Sequence, residues 1–246
     1  MTSRAWHRRA RPLLGTLVDV GIAGVDPAQA IDAAFAAVAE VQACLSRFEA
    51  DSDISRFHAL ATGESLAVRS HTATVLAAAQ SLHESSGGLF DVSLNSAVDG
   101  WRCEGTRLHK RAAGVRLDLG GIGKGYAVDQ AVDALIANGC RSGWVNAGGD
   151  LRVFGDAQLP LNLRDETTGG VRSFGTIGEG SFATSHFDAG SRSVACAGTG
   201  AAPVRAHASV AAPLCLWADA LTKIVAISGD ASHPLLARHG ARAWLH

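Results

Sequence analysis

The chain is 246 residues long, 47% hydrophobic and 18% charged, with a formal net charge of −1. That length suits one large domain or two small ones, and the composition excludes an intrinsically disordered chain. A near-neutral balance without a basic block, and with few aromatics, gives no footing to a nucleic-acid-binding or anionic-membrane-binding reading.

Five cysteines (Cys44, Cys103, Cys140, Cys196 and Cys215) are scattered with no C-x-x-C pair. Such a set reads as reduced thiols of a cytosolic chain. The start, MTSRAWHRRARPLLGT, is basic but has no apolar h-region, so neither a signal peptide nor a lipid-anchor cysteine is expected. A cytoplasmic location follows as the expectation. No run reads as long and apolar enough to cross a bilayer.

Residues 13–22 read as a first strand, with Gly15 marking a bulge or a close backbone approach. Asp26 and Pro27 then open a helix, Asp26 as cap and Pro27 at the first helical position. Ile31, Phe35, Val38, Val41 and Leu45 form its apolar stripe, which faces the core. Residues 46–59 are a polar, acidic connection. There Asp51 and Asp53 either ligate a metal or, the preferred reading, cap the short turn holding Ile54 and Phe57. A second amphipathic helix covers residues 72–85 and leads to Phe90 and Asp91 after Gly87-Gly88, with Asp91 read as a cap.

Residues 115–138 carry the densest chemistry. Val115, Leu117 and Leu119 alternate as in a half-buried strand. Gly120, Gly121, Gly123 and Gly125 surround Lys124, and Val128, Val132, Leu135 and Ile136 recur at helical spacing until Gly139 ends the helix. A strand, a glycine turn and a helix N-terminus offer N–H groups to an anion, and Lys124 adds a full charge. Asp118 either accepts a ligand hydrogen bond or holds a metal-bound water. The site is one for phosphate, yet the two familiar phosphate loops fail. Asp118 stands where a P-loop needs its first glycine, and Tyr126 stands where the dinucleotide fingerprint needs its last.

Residues 144–154 read as a hairpin around Gly148-Gly149, flanked by Asn146 and Asp150. Residues 165–203 are the least patterned, and residues 181–187, with hydroxyls clustered beside His186, read as a polar loop. Residues 216–229 form a small-residue helix with Asp219, Thr222 and Lys223 on its early turns. Without a repeat or linker, residues 1–246 are expected to form one domain.

Taken in order, LLGTLVDV, SRFEADSDISRFHA, SGGLFDVS, LDLGGIGKGYAVDQAVDAL, WVNAGGDLRVFG, ATS and ADALTK resemble the ApbE family, the FAD:protein FMN transferases. The resemblance implies an α+β fold, with mixed or antiparallel sheet flanked by helices and a cofactor cleft. It implies an enzyme that uses Mg²⁺ to move FMN from FAD onto a Ser or Thr hydroxyl of an acceptor flavoprotein, releasing AMP. FAD pyrophosphate hydrolysis and a non-catalytic FAD-binding role are the alternatives. By the family pattern Leu14, Phe48, Leu89, Phe90, Asp91, Asp118 and Lys124 contact FAD. Mg²⁺ is held by Gly121 and Asp219, with Thr222 or water completing the shell, because Lys223 stands where many members carry Thr. Asp219 is also a candidate to serve the acceptor hydroxyl. The family's H-x-I-D-P-x-T-G-like segment is reduced here to SVACAGTGAAP, residues 193–203, which leaves His186 as the candidate replacement base and His207 as a second.

Overall fold

Leu14 and Gly15 make a two-residue turn, not a bulge. Both have positive φ, 55° and 68°, the geometry that joins two twisted antiparallel strands. The single strand expected over residues 13–22 is therefore two, β1 (Trp6–Leu13) and β2 (Thr16–Ala23), paired along their whole length. WHRRARPL has no apolar face, so β1 carries no strand signal in the sequence. It is an edge strand, held by its ladder to β2 and by side-chain contacts such as Arg8 to Asp19, Arg11 to Asp32 and Trp6 against Trp144.

The computed structural model describes residues 6–24, 27–97, 99–164, 169–187, 203 and 207–246. After β2 come α1 (Ala28–Leu45), α2 (Asp53–Ala59), β3 (Ser65–Ala67), α3 (Ser70–Ser85), β4 (Trp101–Glu104) and β5 (Arg107–Lys110). Next are α4 (Gly123–Ala137), β6 (Gly143–Ala147), β7 (Asp150–Phe154), β8 (Leu159–Arg164), β9 (Val171–Ile177) and β10 (Gly180–His186). β11 (His207–Ala212), α5 (Cys215–Ser228), α6 (Pro234–Arg238) and β12 (Arg242–Leu245) complete the chain. The main sheet runs β1-β2-β6-β7-β10-β11-β12, with β3-β5-β4 and β8-β9 as smaller sheets. Every ladder among the described residues is antiparallel.

The main sheet separates two cores because side chains alternate across it. Val145, Ala147 and Ala183 face the helix layer. Leu151, Val153 and Phe182 face β8 and β9. On the helix side α1 packs on α4 and α4 on α5, and α5 lies across β10 and β11. The stripe Ile31, Phe35, Val38, Val41 and Leu45 is buried as expected. By length and composition alone α1 also passes as a membrane span. In the fold its apolar stripe is core.

Three local expectations change. Residues 115–119 join no sheet. They run extended, with Asp118 N–H donating to Val92 O at 2.8 Å and Leu117 N–H to His58 Nε2 at 2.8 Å. Their alternation reflects burial of Val115, Leu117 and Leu119, not a ladder. The cap of α2 is Ser52, whose hydroxyl accepts Ser55 N–H. Asp53 is buried and tethers the start of α3, accepting from Arg69 N–H at 2.8 Å and Thr72 Oγ1 at 2.6 Å. Residues 181–186 are not a loop but most of β10, between β7 and β11. Asp26 and residues 193–202 lie outside the described residues.

The His58–Leu117 bond requires a neutral imidazole acceptor. Burial, with Arg116 nearby, holds His58 below its ordinary value of 6.5. A histidine depressed on folding stabilises above its unfolded pKa and loses that contribution as pH falls through the folded one. The unfolding midpoint is therefore expected to drop as pH falls below about 6.5, and less steeply in His58→Gln. Equal pH slopes in urea titrations of the two proteins would remove His58 from this role.

Candidate active site

Two helix contacts set the position of the site. At Gly125, in the first turn of α4, an added Cβ would lie 2.2 Å from Cys215 O and 2.8 Å from Asp219 Cβ. Only glycine lets α4 approach the start of α5 so closely. One turn later Asp129 caps α5 from outside, accepting Cys215 N–H at 3.0 Å and Leu216 N–H at 2.8 Å, and it also binds Arg152. A carboxylate at a helix N-terminus answers both the free N–H groups and the dipole. Asp129 carries no signal in the sequence, since an acidic residue at helical spacing looks like an exposed face.

This clamp fixes Asp219, which is fully buried. Its Oδ2 accepts Gly125 N–H at 3.0 Å and its Oδ1 is paired with the Lys223 ammonium one turn along α5. Lys223 also donates to Asp219 O at 2.9 Å and Ser185 Oγ at 3.1 Å. Thr222 Oγ1 donates to Asp219 O at 2.7 Å and lies 2.7 Å from Ser185 Oγ. Across α4, Lys124 is paired with Asp150 of β7, whose Oδ1 is buried without a hydrogen-bond partner among the described residues. Burial raises the Asp150 carboxyl above its ordinary value. Burial alone would lower Lys124, but Asp150 and Asp219 hold it above its ordinary value, so it stays charged. Burial would raise Asp219 as well, yet Lys223 and Lys124 bring it below its ordinary value.

Above this quartet opens a cleft of about 750 Å³, within the ~300–1,000 Å³ common for small-molecule sites. Leu14, Phe48, Leu89, Phe90, Asp91, Asp118 and Lys124 all line it, together with Gly120, Gly121 and Lys223. Phe48 is 84% exposed, so it contributes little to the core. Its ring lies under the Arg47 guanidinium at 4.6 Å. Leu14 enters from the β1–β2 turn, where its left-handed backbone is held by Gln42 Oε1 at 2.6 Å from its N–H. Asp118 shapes the glycine turn by accepting Gly120 N–H at 2.8 Å and pairs with Arg47 at 3.3 Å. Asp91 caps its own loop, accepting from Ser93 and Asn95, while facing the cleft.

Asp219 and Thr222 lie beneath the cleft and not on its wall. His186 stands two residues along β10 from Thr184, which lines the cleft, and its ring packs on His207 at 5.4 Å. Of the expected metal donors, Gly121 lies over the Lys223 stem, where a Cβ would be 3.2 Å from Lys223 Cε, and Asp219 is bound by Lys223. They do not fit a divalent ion as they stand. Both Asp219 oxygens and the Thr222 hydroxyl have protein partners, and the place beside Asp219 Oδ1 is taken by an ammonium. Among the described residues no group of three or more His, Cys, Asp or Glu converges on a metal position.

The sequence signature of the ApbE family matches residues 14–110 and 103–245. The chain belongs to the ApbE family. An FAD:protein FMN transferase from Treponema pallidum (strain Nichols) is 27% identical over 208 residues, 68% of this chain and 58% of that protein. One from Rhodobacter capsulatus is 29% identical over 177 residues, 58% of this chain and 34% of that protein. The aligned part of the chain thus spans between a third and three-fifths of those relatives' length. The flavin transferase ApbE structure from Vibrio cholerae superposes with a TM-score of 0.83 at 20% identity, covering 99% of this chain and 94% of that one. The apo flavinyl transferase ApbE from Pseudomonas stutzeri gives 0.82 at 22% identity, covering 98% and 91%. The ApbE fold is shared throughout.

Proposed function

We propose that this ApbE-family chain transfers the FMN half of FAD to a Ser or Thr hydroxyl of an acceptor protein and releases AMP. One observation carries the reading. The cleft combines apolar and aromatic side chains (Leu14, Phe48, Leu89, Phe90) with a glycine–lysine turn at a helix N-terminus (Gly120, Gly121, Lys124). The first suits a flat ring and the second a pyrophosphate. In the reaction the acceptor oxygen forms a bond to the FMN phosphorus and the bond to the bridging pyrophosphate oxygen breaks. That oxygen leaves on AMP, and the hydroxyl proton passes to a base or solvent. Chemistry of this kind is mainly positioning and charge neutralisation. In this chain Lys124 and Lys223 supply the positive charge. His186, on the Thr184 face of β10, is the candidate base, and an unchanged rate in His186→Ala would remove it.

The test is chromatographic: the protein is incubated with FAD and a Ser/Thr-containing acceptor domain. AMP together with flavin that stays on the denatured acceptor is the expected result. AMP with free FMN only would mean hydrolysis, and bound FAD without AMP would mean a non-catalytic binder. Phe48→Ala is expected to leave the unfolding midpoint in place while weakening FAD binding by ~tenfold, the loss of one aromatic stacking contact. Unaltered FAD affinity in a fluorescence titration would place the ring elsewhere.

A further inference from the structure

The place beside Asp219 Oδ1 at the floor of the cleft is filled by a side chain. The Lys223 ammonium has three N–H groups and three oxygen acceptors: Asp219 Oδ1, Asp219 O at 2.9 Å and Ser185 Oγ at 3.1 Å. Carboxylate, carbonyl and hydroxyl oxygens are the donors that a hard cation takes. Here they converge on a nitrogen that already carries charge. The side chain is only 6% exposed, yet it lines the cleft directly below the glycine turn. Its stem is covered by Gly121, where a Cβ would stand 3.2 Å from Cε.

Charge and bonding argue the same way. Lys124 and Lys223 face Asp150 and Asp219, two cations against two anions, and the quartet is neutral as built. Asp219 Oδ2 is committed to Gly125 N–H, and Thr222 Oγ1 to Ser185 and Asp219 O. A divalent ion added at Asp219 would meet the ammonium at contact distance in a buried setting, where like charges repel strongly. To enter, it must first expel Lys223 from all three acceptors.

We infer that Lys223 is the resident cation of this cleft, taking the place of a divalent ion at Asp219, so that a pyrophosphate-bearing flavin nucleotide binds without added metal. The inference rests on the reading of the cleft as an FAD site. The positive charge beneath the pyrophosphate is then part of the fold, held at a fixed position by its three bonds. The ammonium is spent on internal acceptors, so its effect on a bound pyrophosphate is electrostatic, while Lys124 and the turn N–H groups stand at the wall.

The experiment uses the full chain stripped with a chelator and then dialysed free of it. Free Mn²⁺ is titrated by electron paramagnetic resonance, and FAD by flavin fluorescence with chelator or with Mg²⁺, on the natural protein and on Lys223→Thr. The natural protein is expected to bind no stoichiometric Mn²⁺, and its FAD affinity to be the same within about twofold in the two buffers. Coupling between two sites otherwise amounts to ~5–150-fold. Lys223→Thr is expected to acquire a stoichiometric Mn²⁺ site and an FAD affinity that rises with Mg²⁺. Stoichiometric Mn²⁺ on the natural protein, or tightening of its FAD binding by Mg²⁺ in that range, would overturn the inference. If the natural protein bound no FAD in either buffer, the flavin reading would fail, and the Mn²⁺ titration would still decide whether Lys223 excludes the ion. Should Lys223→Thr not fold, the two titrations of the natural protein decide alone.

Discussion

Gly125→Ala is expected to destabilise the protein by about 3 kcal/mol, the upper part of the usual range for overpacking, and to abolish FAD binding in the fraction that still folds. The new methyl group would meet the backbone of Cys215 at 2.2 Å, and a carbonyl oxygen cannot turn aside as a side chain can. α4 and α5 must separate, and with them go the Gly125–Asp219 bond and the two Asp129 bonds to the start of α5. Urea unfolding reads the first effect and fluorescence titration the second. A loss within the ~0.5 kcal/mol of an ordinary surface change would show that the helices do not cross as closely as described.

Asp219→Ala carries the second large effect, about 3–5 kcal/mol of stability, the cost of leaving a buried charge unpaired. The partner that makes the loss severe is Lys223, 5% exposed and bonded to little else that is charged. Removing that ammonium as well, in Asp219→Ala/Lys223→Met, is expected to recover most of the loss. A double variant as unstable as the sum of its singles would mean that the pair is not coupled. The pH dependence follows the same pair. The Asp219 carboxyl is held below its ordinary value of 3.8, so its contribution is full above that value and disappears as pH falls through the lower, folded one. The natural protein should therefore lose stability more steeply in acid than the double variant does.

Much of this was legible in the sequence wherever a pattern had a single physical meaning. The stripe of α1 recurs at helical spacing and lies buried, and Gly139 ends its helix with φ of 81°. All seven residues assigned to the cofactor line one cleft, though they come from segments as far apart as Leu14 and Lys124. The resemblance to the ApbE family, carried by motifs taken in order, gave that assignment.

What stayed hidden has a common cause. Ser185 accepts the Lys223 ammonium, but in a strand buried on both faces by serine, alanine and one phenylalanine there is no alternation to reveal it. Lys223 itself reads as a break in a pattern until its three acceptors are seen. Asp150 and Asp129 each look like a turn or surface carboxylate, because burial of a charge depends on a partner distant in the chain. Those partners are Lys124 for Asp150, and Arg152 with the start of α5 for Asp129.

The cleft is lined from Leu14 at one end of the chain to Ile227 near the other. No fragment of the fold holds it, so a ligand that fills it is bound by the native state and not by the unfolded chain. Ligation then raises the melting temperature of the whole molecule, by ~2.7 kcal/mol of added stability at a hundred times the dissociation constant. Nucleotides and flavins can thus be ranked by melting shift alone, before any acceptor protein is known.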